Sequence, residues 1–250
     1  MDADIRLTQT WENVWRTDDV EAEHRDVVAV EASANTLIFR PYVDRMLARY
    51  ERPTLLEAGC GLGQWLYYAL ERSDGNVVGL DLTSETLARV RSSKTLDRHR
   101  HRLDLVVGDM RRMPLADASF DLIFSFGVIE HVLSADSQKT VREFFRVLRP
   151  GGRLLLATPN LWSVHTLTRP ISQMLGTWRV GFERSISPRK LASYCRHAGF
   201  EIEECGVMDT GQLFGSAMTS LLPALRGLSR SIERRQHRFG FMAYTVAVKR

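Results

Sequence analysis

The sequence predicts an α/β fold built on a mainly parallel sheet, and three observations carry the prediction. From Thr54 onward short apolar runs alternate with helix-period segments, the signature of successive βαβ units. The first of these runs opens into a loop with glycine at every second position, Gly59-Cys60-Gly61-Leu62-Gly63, directly before a helical pattern. The second and third runs each lead into a carboxylate, Asp81 and Asp109, and in open α/β sheets ligands sit at the carboxyl ends of strands.

Ahead of the first strand, Thr8 to Tyr50 reads as helical: Trp11 and Trp15 lie four apart on one helix face, and Val27–Tyr50 keeps the period although Pro41 is expected to break or kink it. Strands are expected at Thr54–Glu57, Asn76–Asp81, Leu103–Gly108, Asp121–Ser125, Arg153–Thr158, Glu201–Val207 and Phe241–Val248. Helices are expected at Gly63–Arg72, Ser84–Asp97, Ser137–Leu148 and Pro188–His197, the last with Ser187 as N-cap and proline at its first position. Leu148-Arg149-Pro150-Gly151-Gly152 reads as a helix stop and turn before the fifth strand. No internal repeat or low-complexity stretch interrupts the pattern.

Length and composition narrow the class. A chain of 250 residues suits one α/β domain with extra elements and needs no disulfide or metal to hold its core. Cys60, Cys195 and Cys205 form neither a CxxC pair nor a His/Cys ligand cluster, which points to a reducing cytoplasm. The amino terminus shows no signal-peptide pattern, and no apolar run is long enough to span a bilayer. The net charge is +4, and Pro223–Arg238 alone carries as much, so no broad basic face of a nucleic-acid binder remains.

The chemistry concentrates in Leu55-Leu56-Glu57-Ala58-Gly59-Cys60-Gly61-Leu62-Gly63-Gln64. A dinucleotide fingerprint, G-x-G-x-x-G, would place its third glycine where Gln64 stands. The pattern present is Glu57-x-Gly59-x-Gly61-x-Gly63 with an acid at the strand end, which weakens a nicotinamide reading. Asp81, ending Val77-Val78-Gly79-Leu80-Asp81, suits a ribose diol, and it also suits a helix cap with Ser84 near. Asp109, after Val107-Gly108, could accept from an exocyclic amino group, and the fourth strand leads into Phe126-Gly127-Val128-Ile129-Glu130-His131.

Together these residues resemble class I S-adenosylmethionine-dependent methyltransferases, in particular the ubiquinone/menaquinone-biosynthesis-like (type 11) group, over roughly Leu55 to Thr158. The resemblance implies a Rossmann-like, seven-stranded, mainly parallel sheet flanked by helices, with an antiparallel last strand and an N-terminal helical lid over residues 1–52. Residues 53–250 would form the cofactor-binding domain. It implies that Glu57, Gly59, Gly61 and Gly63, with Cys60 between them, hold the methionine part of the cofactor. Asp81 with Leu82 would take the ribose, Asp109 and Met110 the adenine, and Phe126 would lie beside the amino group. The product would be S-adenosylhomocysteine. The Leu148–Gly152 run is a further family feature.

The remaining residues have two readings each. His131 suits a general base for a hydroxyl or protonated amine acceptor, and it equally suits ordering its loop. Some quinone O-methyltransferases carry E-x-x-E-H here and bind a divalent metal; Gly127 stands where the first glutamate would fall, so no metal is expected. The insertion at about 160–187 holds Trp162, His165, Trp178, Phe182 and Glu183, aromatics that would stack on a planar acceptor or simply pack a lid. A segment at about 212–238 combines an apolar helical stripe with the row Arg226, Arg230, Arg234; it would pack on the domain, touch anionic lipid or grip an acidic substrate. The (N/D)-P-P-(Y/F) run of amino-methylating nucleic-acid enzymes is absent after the fourth strand.

The expected function is therefore methyl transfer to an O, N or C atom of a small-molecule acceptor in the cytoplasm, without nucleic acid. A homodimer stays open; peripheral membrane contact is possible but not favoured. The alternatives are a non-catalytic S-adenosylmethionine-binding protein and an NAD-dependent oxidoreductase.

Overall fold

The computed structural model describes residues 10–11, 34–176, 178, 181–208, 224, 227–228, 231 and 239–250. Its seven strands are β1 (Thr54–Ala58), β2 (Asn76–Asp81), β3 (Leu103–Val107), β4 (Phe120–Phe126), β5 (Leu148–Pro159), β6 (Glu201–Val207) and β7 (Met242–Val248). They form one sheet in the order β3-β2-β1-β4-β5-β7-β6. β1 pairs in parallel with β2 and β4, and β2 with β3, while β7 runs antiparallel to both β5 and β6. This is the Rossmann-like arrangement expected, with its antiparallel last strand. The order reverses at β1, which puts the end of β1 at a topological switch point.

The described residues pack as two compact units, one reaching to Ser125 and including Arg146–Gly152, the other holding Phe126–Phe145 and Arg153 onward. In the first, helix α1 (Ala34–Leu47) runs through Pro41 without the break that was one of the two outcomes expected there. Proline removes one backbone donor, and side-chain packing holds the helix around it. Phe39 meets the Trp65 ring edge-on at 5.7 Å, and the Tyr68 hydroxyl donates to Asp44 at 2.6 Å. Trp65 and Tyr68 belong to α2 (Gln64–Arg72), whose residues from Trp65 to Leu70 are all buried. Thr10 and Trp11 are helical, and Trp15 lies outside the described residues.

Helix α3 (Ser84–Ser92) stops five residues short of the expected Asp97 and gives way to a 3-10 helix, Lys94–Arg102. Ser93 is extended, and the basic run Arg98-His99-Arg100-His101-Arg102 would crowd like charges in a regular α-helix. The tighter turn carries Arg102 to the end of α2, where its guanidinium donates to the carbonyls of Leu70, Ser73 and Gly75 at 3.0, 2.6 and 3.0 Å. Those carbonyls have no helical partners of their own.

The Leu148–Gly152 run belongs to β5 rather than preceding it, with Gly151 in the left-handed region at φ 81°. Its chemistry is structural. Arg149 donates to both oxygens of Asp121 at 2.8 Å, Asp121 in turn accepts the Thr54 N–H at 2.8 Å, and a Cβ on Gly152 would come within 2.8 Å of the Arg149 carbonyl. One clamp thus joins the starts of β1, β4 and β5.

In the second unit, α4 (Ser134–Val147) begins three residues before the expected Ser137, and α6 (Pro188–His197) matches its expected bounds, with the Ser187 hydroxyl accepting the Lys190 N–H. The 160–187 insertion contains a helix that the sequence pattern did not reveal, α5 (Val164–Met174). Its signal was a Ser163 N-cap, masked by Pro170 inside the helical run. β7 is buried at all seven positions, as a strand between two partners must be. Of the 212–238 segment only Ala224, Gly227, Leu228 and Ser231 are described, each helical and exposed; the rest of that expectation lies outside the described residues.

Candidate functional site

The end of β1 runs straight into the glycine loop. Gly59, Gly61 and Gly63 have φ of 79°, 49° and 83°, a region where a Cβ is penalised, so the alternating glycines are a backbone requirement. β2 pins the loop. The N–H groups of Gly59 and Cys60 donate to the Leu80 carbonyl at 2.8 and 3.0 Å, and the Gly61 N–H donates to Asp81 Oδ2 at 3.0 Å. Asp81 Oδ1 accepts from the Thr83 N–H and hydroxyl at 3.0 and 3.1 Å. Asp81 thus ties the glycine loop to the turn into α3, as the helix-cap reading expects.

Beneath the loop lie groups that dislike their surroundings. Burial holds the Glu57 carboxyl well above its ordinary range; the Leu66 N–H in the first turn of α2 pulls it back, and the charge of Asp81 pushes it up again. Burial also raises Asp81, against the N–H groups that hold it. The Cys60 thiol is raised by burial first and by both carboxylates after that. Glu57 Oε2 is buried and has no hydrogen-bond partner. Two neighbouring buried carboxylates with an unpaired oxygen favour a cationic ligand bearing N–H donors. S-adenosylmethionine, with an ammonium and a sulfonium, fits that requirement.

After β3 the Gly108 N–H donates to the Asp81 carbonyl at 2.9 Å, fixing the entry to Asp109. The Asp109 carboxylate grips Arg111: Oδ1 accepts the Arg111 N–H at 2.7 Å, and Oδ2 accepts Nε and Nη2 at 2.8 and 2.5 Å. Leu82 and Met110 are half-buried beside these turns.

The second unit holds the other expected residues. Phe126 is half-buried at the end of β4. Gly127 has φ 69° and donates its N–H to the Ala157 carbonyl at 3.0 Å, a backbone geometry a glutamate would adopt only under strain. Glu130 and His131 come next, both buried in a short 3-10 turn. His131 Nδ1 lies 2.8 Å from the Phe182 carbonyl, which can only accept, so Nδ1 carries the proton. Burial lowers the imidazole pKa, opposed by the Phe182 carbonyl and Glu183, which favours a neutral ring with Nε2 as its basic nitrogen.

Sequence reasoning missed Arg184. Its N–H donates to the Glu130 carbonyl at 3.0 Å, its Nε to the Val132 carbonyl at 2.7 Å and its Nη2 to Ser137 Oγ at 2.5 Å, fastening the Glu130–Val132 turn to the insertion. The available signal was one Glu-Arg pair in an otherwise acid-free stretch. Glu183 accepts from His165 Nε2 and Arg169 Nη1, each at 3.0 Å. Trp178 donates to the Gly181 carbonyl and packs on the His165 ring at 5.6 Å.

Glu130 gives a stability prediction. Burial pushes its carboxyl up to about 8, with Glu183 adding to the rise and Arg184 opposing it. The unfolded chain loses this proton near 4.5, so the favourable contribution is complete below that pH and is lost as pH rises through about 8. Glu130→Gln is expected to be more stable than the parent at pH 8 by up to ~4 kcal/mol, each tenfold change in proton affinity being worth about 1.4 kcal/mol. The advantage should vanish near pH 4. Urea titrations across that range check it, and parallel pH–stability curves would refute it.

Residues 56–156 match the family model described as Methyltransferase domain, of type 11. This stretch is a type 11 methyltransferase domain. The matched residues contain Glu57, the glycine loop, Asp81, Asp109 and His131. The chain is 34% identical over 183 residues to a probable S-adenosylmethionine-dependent methyltransferase of Mycolicibacterium smegmatis, covering 73% of this chain and 63% of that protein. It is 29% identical to the malonyl-[acyl-carrier protein] O-methyltransferase of Pectobacterium atrosepticum, covering 70% and 63%. The chain therefore spans somewhat under two thirds of these relatives. Its fold matches an S-adenosylmethionine-dependent methyltransferase from Mesorhizobium loti at TM-score 0.59 and 19% identity, covering 86% of this chain and all of that one. Among the described residues, no helix is long and apolar enough to cross a membrane.

Proposed function

We propose that this protein transfers the methyl group of S-adenosylmethionine to an oxygen, nitrogen or carbon atom of a small-molecule acceptor. The observation that carries the proposal is the glycine loop pinned by Asp81 over Glu57, whose buried Oε2 has no partner. Glu57, Gly59, Cys60, Gly61, Gly63, Asp81, Leu82, Asp109, Met110 and Phe126 would hold the cofactor. When bound, S-adenosylmethionine supplies a methyl that is already electrophilic on sulfur.

The chain's own residues then have modest work. The two carboxylates, Glu57 and Asp81, counter the positive charge of the donor, and the glycine loop lets backbone approach it without Cβ interference. Holding the acceptor in line and excluding water carries most of the rate. For a hydroxyl or protonated amine, His131 accepts the proton at Nε2, with its tautomer set by the Phe182 carbonyl.

The test is calorimetric titration of cofactor-stripped protein with S-adenosylmethionine, S-adenosylhomocysteine and NADH in parallel. Both adenosyl ligands should bind and NADH should be silent. Because Glu57 holds its proton above the usual carboxylate range, binding of the cationic donor should release protons, and its affinity should rise with pH as Glu57 ionises. Heats measured in buffers of different ionisation enthalpy read that release. Binding of NADH alone would overturn the reading, and binding with no turnover on any acceptor would leave a non-catalytic cofactor protein.

A further inference from the structure

Helix α5 is mounted with its polar side inward. His165 and Arg169 reach Glu183, and the Thr166 hydroxyl donates to the Asn160 carbonyl at 2.8 Å and meets Ser185 Oγ at 2.7 Å. Its apolar row faces out: Leu167 is 72% exposed, Ile171 57%, Met174 88% and Leu175 71%. Spacings of four, seven and eight residues put these side chains on one helix face. Leu161 and Trp162, just ahead of the helix, are exposed as well. Isolated exposed apolar residues need no explanation, whereas a contiguous row on a helix whose polar face is already satisfied marks a contact surface.

Charge says which surface. From Asn160 to His197 the sequence carries Arg169, Arg179, Arg184, Arg189, Lys190 and Arg196 against the single acid Glu183, a net +5. Pro223–Arg238 adds another +4, so the rest of a chain that is +4 in total is acidic on balance. Arg189 and Lys190 are exposed at the start of α6. A second copy of this stretch would set a basic segment against a basic segment, which disfavours self-association. An anionic bilayer supplies both the negative charge and the apolar depth. At 11 residues α5 is about 16 Å long, too short to span a bilayer and suited to lie in its interface.

We propose that the exposed apolar face of α5, flanked by this basic stretch, docks the protein on the surface of anionic lipid membranes. The apolar row enters the boundary between headgroups and acyl chains, and the cations engage the headgroups. Nothing in this depends on methyl transfer, so either idea can fail alone.

Co-sedimentation of the full chain with vesicles of phosphatidylcholine, and of phosphatidylcholine mixed with phosphatidylglycerol, tests it. The protein should pellet with the anionic vesicles at least ~tenfold better than with the neutral ones, and high salt should reduce the difference. Leu167→Ser with Ile171→Ser, both at exposed positions, should abolish pelleting while the thermal midpoint and S-adenosylmethionine affinity stay unchanged. Arg189→Ser with Lys190→Ser should weaken it several-fold. The proposal is overturned if the parent stays in the supernatant with both vesicles, or if the Leu167/Ile171 variant pellets equally. It is also overturned if the parent is a dimer that this variant converts to monomer without any vesicle binding, which would make a second copy the occupant.

Discussion

Replacing Asp81 with asparagine is expected to weaken S-adenosylmethionine binding about a hundredfold while the fold persists. Both oxygens of Asp81 accept backbone N–H groups, Oδ2 from Gly61 and Oδ1 from Thr83. An asparagine must turn its NH2 toward one of them, so a donor faces a donor whichever way the amide sits. If the amide faces Gly61, the middle of the loop loses its anchor; if it faces Thr83, the turn into α3 loosens. The substitution also removes one of the two charges that would balance a cationic ligand. A hydrogen bond to a charged group contributes about 1.5–3 kcal/mol, and a hundredfold loss corresponds to about 2.7 kcal/mol. Calorimetric titration reads the affinity, and circular dichroism confirms the fold. Affinity within threefold of the parent would remove Asp81 from the proposed cofactor site.

The largest loss of stability is expected at Gly75, between α2 and β2. A Cβ there would lie 1.9 Å from the Pro53 carbonyl oxygen and 2.8 Å from the Pro53 nitrogen and Cδ. These are atoms of the backbone and of a rigid ring, so no side chain can rotate away, and the strand start itself must move. The Gly75 carbonyl also accepts from Arg102, which ties the 3-10 segment to the same spot. Gly75→Ala should cost ~3 kcal/mol or more, lowering the thermal midpoint by roughly 6–12 °C for a chain of this size. Gly227, where a Cβ meets nothing within 4 Å, is the control; its alanine variant should match or exceed the parent. A Gly75→Ala midpoint within about 2 °C of the parent would show that the close approach is readily relieved.

Much of the site was legible because its chemistry is local. The alternation Gly59, Gly61, Gly63 follows from three positive φ values within five residues, and Asp81 ends its strand eighteen residues beyond Gly63. The strand pattern was legible for a similar reason: buried strands such as Met242–Val248 are near-continuous apolar runs whatever their neighbours. What escaped the sequence were long-range partners. That Arg102 would fasten the end of α2, that Arg149 would clamp Asp121, and that Arg184 would hold the Glu130 turn are decided by residues roughly thirty to fifty positions away.

The outward face of α5 divides the two sources of information most sharply. Its periodicity is present in Leu167, Ile171, Met174 and Leu175, yet a period states only that one side is apolar and never which side meets the protein. The sequence by itself determined the fold class, the glycine loop and the acids that end or succeed the strands, because backbone conformation and strand burial act over a few neighbouring residues. Only the tertiary structure decided that Glu57 would keep an unpaired buried oxygen and that His131 would carry its proton on Nδ1. It alone put the polar side of α5 inward, because each of these depends on which distant donor or acceptor folding brings within about 3 Å.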